Sequence, residues 1–181
     1  SLALKIITST YGYGKYKVWT ASWEKEKALK EICCDLLGLC RNKDDVPYNG
    51  ILRFLGIQKT NMLGSTDSLI YSDDDPYPDD RMKKIYKMYE DYKKDKSYIE
   101  FDDFLNMANQ CFDKFPDILK FYQNKYLYVL SDEFQDVSMA QSLLLKRINN
   151  KNTMIVGDPL QAIYSFRGGR SEYIMRFDQD Y

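Results

Sequence analysis

Histidine is absent from all 181 residues of the chain. That absence removes imidazole general bases, serine triads in their usual form and histidine-ligated metals. Any catalysis must therefore rest on carboxylates, amides, Lys, Arg, Tyr or Cys. Cysteine is scarce: Cys33, Cys34, Cys40 and Cys111 include one adjacent pair and no C-x-x-C. This is the pattern of neither a secreted disulfide framework nor a zinc site, and it fits a reducing, intracellular setting. No apolar run approaches the roughly 18 to 20 residues of a membrane helix, and the opening Ser1 to Lys5 lacks the charged and apolar regions of a signal peptide. The expectation is a cytoplasmic protein with no membrane contact. An excess of one charge is also missing, since 26 Lys plus Arg face 27 Asp plus Glu for a net charge of -1. Nucleic-acid contact would then come from a local patch or from stacking aromatics rather than from bulk charge.

What is present suits a protein of one or two small domains: 44% of the residues are hydrophobic, and at this length roughly 70% of the unfolded surface can be buried without disulfides or metal. The acidic residues crowd into Asp73 to Asp80, where Pro76 and Pro78 interrupt them, so a solvated loop linking helical segments is expected. Before it, Leu29, Ile32, Cys33, Leu36, Leu37 and Cys40 recur at the spacing of one helical face, with Ser22 as the N-cap. Cys33 and Cys40 are thus expected in the core. After the loop, Met82, Ile85, Tyr86, Tyr89 and Tyr92 form a second amphipathic stretch, and Phe101, Phe104, Leu105, Ala108 and Phe112 a third. Pro116 suits the first turn of a further helix carrying Ile118, Leu119 and Tyr122.

The pattern changes at Tyr126. Residues 126–130 are apolar throughout and rich in β-formers, as in a buried parallel strand. Ser138 to Gln141 is a capping box that opens a helix through Leu144 and Ile148, and Thr153 to Val156 is a second buried strand. Strand, helix and strand make one α/β unit, and ligands bind beyond the carboxyl ends of such strands, where Asp132, Glu133 and Asp158 fall.

Two adjacent carboxylates at the end of an apolar strand are costly unless a cation or a water network uses them. Asp132-Glu133 suits nucleotide hydrolysis, the first acid holding Mg2+ through water and the second polarising an attacking water. Taken alone, the pair reads more plainly as a cap on the next helix. A second block, Gly157-Asp158-Pro159-Leu160-Gln161-Ala162-Ile163-Tyr164-Ser165-Phe166-Arg167-Gly168-Gly169, follows the next strand.

Together with Asp132-Glu133-Phe134-Gln135-Asp136, this block resembles the UvrD/Rep-type superfamily 1 DNA helicases, whose patterns read D-E-x-Q-D and V-G-D-x-x-Q-[SA]-I-Y-x-[FW]-R-G-[AG]. Upstream, Ile99 to Leu105 is similar to the family's L-D-F-D-D-L-L element, and Phe121 to Tyr126 to the segment leading into the acidic strand. Tyr16 to Leu37 and Asn49 to Leu63 resemble the helical 1B subdomain inserted into the first motor domain. The resemblance implies an α/β fold in which residues 1–97 form a mostly helical 1B-like subdomain and residues 98–181 part of a RecA-like parallel-sheet motor domain of the P-loop NTPase class. It implies ATP and Mg2+ as cofactors and single-stranded and duplex DNA as partners. By position, Asp132 would help hold Mg2+, Glu133 would activate the hydrolytic water and Gln161 would sense the γ-phosphate. Tyr164, Phe166 and Arg167 would touch single-stranded DNA, an aromatic face stacking on any base at about 1 to 3 kcal/mol. For Asp102 and Asp103, capping of a helix start is the plainer role.

One part is missing. The chain holds no phosphate-cradling G-x-x-x-x-G-K-[ST] loop, and Gly12-Tyr-Gly14-Lys15-Tyr16 has the wrong spacing and no Ser or Thr after the lysine. An internal fragment of an ATP-dependent 3′-to-5′ DNA helicase, inactive by itself, is therefore expected. The motor segment of a RecB- or AddA-like helicase-nuclease and a non-catalytic DNA-binding module remain as alternatives. The basic runs Lys25 to Lys27 and Lys93 to Lys96 serve either as phosphate contacts or as solvated helix faces.

Overall fold

The computed structural model describes residues 1–149, 152–161 and 172–180. Helices dominate, with two small parallel sheets of two strands each, so the chain is of the α/β kind in its coarse class. It divides into two compact units, Gly14–Lys59 with Leu63–Phe101, and Ser1–Tyr13 with Thr60–Met62 and Asp102–Tyr181. The stretch before residue 98 is thus shared between them, because helix α1 (Leu2–Tyr11) belongs with the later unit.

In the unit made of residues 14–59 and 63–101, strand β1 (Lys17–Val18) leads into α2 (Ser22–Lys30) and a π-helical turn at Glu31–Leu36. Helices α3 (Tyr48–Thr60) and α4 (Asp79–Lys96) follow, and β2 (Tyr98–Ile99) pairs with β1 in parallel. The apolar stripes meet as their spacing dictates: Leu29, Ile32, Cys33, Ile51, Phe54, Met82, Ile85, Tyr86 and Tyr89 are buried in one cluster. Trp19 stacks on Tyr89, Tyr92 and Tyr98 at centroid distances of 5.7, 5.8 and 4.9 Å. Helix α4 carries Asp79 and Asp80 in its first turn and Lys93, Lys94 and Lys96 in its last, each charge facing the favourable end of the helix dipole.

Four details depart from expectation here. Ser22 is the first residue of α2, and Ala21 occupies the N-cap position without a side-chain bond. The π-helical turn advances the chain, so Leu36 points outward and the seven-residue spacing of Cys33 and Cys40 no longer shares a face. Gly38, with a φ of 60°, then reverses the chain, and Leu39 N–H bonds Cys33 O at 2.8 Å. This brings Cys40 onto Cys34, with which it forms a disulfide; Cys33 stays free and buried, its thiol pushed up to about 11 by desolvation. The acidic loop is pinned as well as solvated, since Asp75 accepts from Ser72 N–H (2.8 Å) and Arg53 donates to Asp74 O (2.9 Å).

The basic runs also resolve, and not as one group. Lys25 and Lys93 turn inward onto Glu100, at 2.8 and 3.3 Å, joined by Lys59 at 3.2 Å. Tyr89 donates its hydroxyl to the same carboxylate at 3.0 Å. Burial works to raise the Glu100 carboxyl, but Lys59, Lys93 and Lys25 outweigh it and hold it at about 2. Lys27, Lys94 and Lys96 remain exposed.

In the unit holding residues 102–181, α1 is followed by α5 (Phe101–Lys114) and α6 (Pro116–Lys125), with Pro116 at the head of α6 as its fixed φ favours. Strand β3 (Val129–Ser131), α7 (Met139–Ile148) and β4 (Thr153–Ile155) form a parallel pair with its crossover helix. Short helices α8 (Glu172–Met175) and α9 (Phe177–Asp180) close the described chain. The register sets Val129 beside Thr153, Leu130 beside Met154 and Ser131 beside Ile155. Asn109 of α5 donates to Ala140 O of α7 at 3.0 Å, and Arg147 of α7 returns a bond to Asn109 O at 2.6 Å. Phe104, Ala108, Phe112, Tyr122, Leu144 and Ile148 supply the buried apolar groups.

Here the expectation of fully buried strands fails: Leu130 is 74% exposed and Met154 58%. Among the described residues only two strands lie side by side here, and one face of the pair carries no covering helix. Phe101, expected in the core, opens α5 and is exposed.

Candidate nucleotide-hydrolysis site

The site grows from two strand tips. Past Ser131 the chain leaves β3 through Asp132 and Glu133, and Glu133 takes the left-handed conformation, with a φ of 51°. That conformation costs a non-glycine residue about 1 to 2 kcal/mol, and here it turns the chain straight into a 3-10 turn at Phe134–Asp136. Val156 N–H bonds Ser131 O at 2.8 Å and Phe134 N–H bonds Val156 O at 3.0 Å, so the two tips are knitted one residue beyond the ladder. Phe134 anchors the turn, fully buried and edge-on to Phe177 at 6.1 Å.

Asp132 and Glu133 project into solvent. Asp132 Oδ1 accepts from Glu133 N–H at 2.9 Å, and neither carboxylate has a Lys or Arg partner among the described residues. They edge a cleft of about 360 Å³ whose other walls include Ser131, Asp136, Gln141 and the apolar residues Leu105 and Leu144. Asp136 Oδ1 is buried there without a hydrogen-bond partner. The cleft thus offers carboxylate oxygens with no cationic partner among the described residues, the donor type that a hard divalent cation such as Mg2+ takes.

On the neighbouring tip, Asp158 opens a 3-10 turn at Pro159–Gln161. Its carboxylate accepts from Leu160 N–H (2.9 Å) and from Gln161 Nε2 (2.9 Å), and its carbonyl from Gln161 N–H (2.9 Å). Gln161 is exposed. The structure thus brings Asp132, Glu133 and Gln161 to adjacent tips, with Asp158 holding Gln161. Tyr164, Phe166 and Arg167 lie outside the described residues. Gly12 caps the helix α1, so the nearest glycine-lysine string follows a helix, whereas a phosphate loop follows a strand.

Sequence reasoning missed Gln135. Its side chain is 2% exposed and spans the two tips, Nε2 donating to Glu133 Oε2 at 2.6 Å while Oε1 accepts from Asp158 N–H at 3.0 Å. The signal was available in the D-E-x-Q-D pattern, which leaves position 134 open and specifies an amide at 135.

Residues 17–181 match the family model described as the UvrD/REP helicase N-terminal domain. The chain is 29% identical to YjcD of Bacillus subtilis over 98% of its own length and 24% of that protein's. It is 34% identical to DNA helicase II of Rickettsia typhi over 81% of this chain and 23% of the relative. With the ATP-dependent DNA helicase PcrA of Bacillus subtilis it shares 35% identity over 58% of this chain and 14% of the relative. The chain spans less than a quarter of the length of these relatives. A match over nearly the whole sequence, which takes in both strand tips, places it: this chain belongs to the UvrD/Rep helicase N-terminal domain family.

Proposed function

We propose that the chain is a segment of the motor of an ATP-dependent DNA helicase, with residues 102–181 contributing part of a RecA-like domain and the helical unit of residues 14–101 a 1B-like subdomain. The observation that carries this is the closure of two parallel strand tips around Asp132, Glu133, Asp158 and Gln161. Such tips are where open α/β sheets bind ligands. The open sheet face at Leu130 and Met154 supports the same view, because parallel sheets work with both faces covered.

In this reading Asp132, with its free oxygen, would help hold Mg2+. The ion would neutralise charge on the phosphates of bound ATP. Glu133 accepts the proton of the attacking water, its carboxylate aimed by the left-handed backbone. Gln161 reaches the γ-phosphate from the neighbouring tip. Tyr164 and Phe166 stack on unpaired bases and Arg167 meets a phosphate, so hydrolysis is linked to a 3′-to-5′ step along one strand.

In the complete protein, Glu133→Gln lowers DNA-stimulated ATP hydrolysis about a thousandfold, the middle of the range for loss of a general base, and leaves single-strand affinity unchanged. Unaltered turnover, or equal loss of binding and turnover, overturns the role. The 181 residues alone bind no ATP productively, since no phosphate-cradling loop lies among them. Phosphate release by the isolated chain above the uncatalysed rate refutes that statement.

A further inference from the structure

We propose that Gln135 is a positioning residue that makes one hydrogen-bonded relay of Glu133, its own amide, Asp158 and Gln161. The inference rests on the reading of Glu133 and Gln161 given above and adds a path between them. Glu133 Oε2 receives Gln135 Nε2 (2.6 Å), Gln135 Oε1 receives Asp158 N–H (3.0 Å), and Asp158 Oδ2 receives Gln161 Nε2 (2.9 Å).

Three features make this more than proximity. The orientation of the amide is dictated, because Asp158 N–H can only donate and an ionised carboxylate can only accept, so a flipped amide would oppose like groups at both ends. The bridging side chain is buried: Gln135 is among the fully buried side chains, and a polar side chain in such a place is retained only with its bonds made. The neighbouring strand leaves room for it. A Cβ at Gly157 would run into Gln135 Oε1 and come within 3.0 Å of Phe134 N, so a side chain at 157 would push the amide off both partners.

The amide therefore does two jobs at once. It holds the Glu133 carboxylate, which has no other side-chain partner among the described residues, in one rotamer beside the cleft. It also fixes the first backbone N–H of the turn that ends in Gln161. A shift of Glu133 when it engages water is carried to Asp158 through a rigid planar group, and from Asp158 to Gln161 through a carboxylate. Gln135, the middle of the relay, is buried, while Glu133 and Gln161 at its two ends face solvent.

The complete protein tests this with Gln135→Met, which keeps the volume and removes both bonds, and Gln135→Asn, which keeps an amide too short to span the tips. In both, kcat for DNA-stimulated ATP hydrolysis falls about tenfold to a hundredfold, as for loss of groups that orient a reacting side chain, while KM for ATP stays within about threefold. Combining Gln135→Met with Gln161→Ala gives an effect no larger than the worse single change, since both cut one chain of bonds. Hydrogen exchange over residues 156–161 quickens in Gln135→Met and in Glu133→Ala alike. A kcat within about twofold of the parent in both Gln135 variants, or single effects that multiply, sinks the relay. Glu133→Gln is run beside them. If it too hydrolyses normally, the assignment of Glu133 has failed; if it is dead while the Gln135 variants are normal, only the relay has.

Discussion

Two glutamates define the two units by contrast. Glu100, in the helical unit, is buried and meets Lys25, Lys59, Lys93 and Tyr89. Glu133, at the strand tip, is exposed and meets one amide. A carboxylate whose surroundings satisfy it fully is an element of the scaffold, because any change of partner strands charge in a low-dielectric interior. One left with spare oxygen lone pairs in solvent has capacity for something outside the chain. The lesson extends to lysine, since a basic run in the sequence becomes scaffold or surface according to which of its members finds a buried acid.

The sharpest way to break that contrast is to exchange each glutamate for glutamine. Glu133→Gln carries the larger effect, the thousandfold loss of turnover set out above, with a melting temperature that scanning calorimetry finds unmoved. Glu100→Gln does the opposite. It leaves three lysines around a neutral amide and costs about 3 kcal/mol of unfolding free energy in a urea titration. A loss below about 1 kcal/mol would mean that Glu100 is no keystone.

The same contrast has a pH signature. Glu100 is held at about 2, below its ordinary value of 4.5, so its contribution is present in full above about 4.5. Stability must fall as the pH drops from there toward 2, where the folded-state carboxyl also protonates. The Glu100→Gln protein lacks this acid limb, and its stability between pH 5 and 2.5 runs flatter than the parent's; parallel curves would place the acid sensitivity elsewhere. The smallest effect belongs to the Cys34–Cys40 link, which closes a ring of only a few residues. Cys34→Ser costs about 2 kcal/mol, the chain-entropy value for so short a loop, and mass spectrometry under non-reducing conditions reports the pair directly.

Much of this was legible in the sequence because it is local. The capping box appears as read, with Ser138 Oγ accepting from Gln141 N–H at 3.3 Å and Gln141 Oε1 accepting from Ser138 N–H at 2.8 Å. Pro116 heads its helix, and the two short strands pair in parallel with the acid doublet and Asp158 at their carboxyl ends. What escaped depends on tertiary placement. Helical periodicity put Cys40 with Cys33, whereas a π-helical turn and a left-handed glycine gave it to Cys34. Apolar composition buried Leu130, but only a neighbouring layer can do so. Gln135 stood in plain view in the acidic motif, yet no pattern of one residue type reveals that a side chain faces inward and reaches across to another strand.

The bare side of the two-stranded sheet has a practical corollary for anyone dissecting a protein of this family. Leu130 and Met154 stand in water on that side, and every Å² of apolar surface a partner layer removes from water there is worth about 25 cal/mol. Pieces that carry whatever layer covers this side will stay in solution better than pieces that leave it bare.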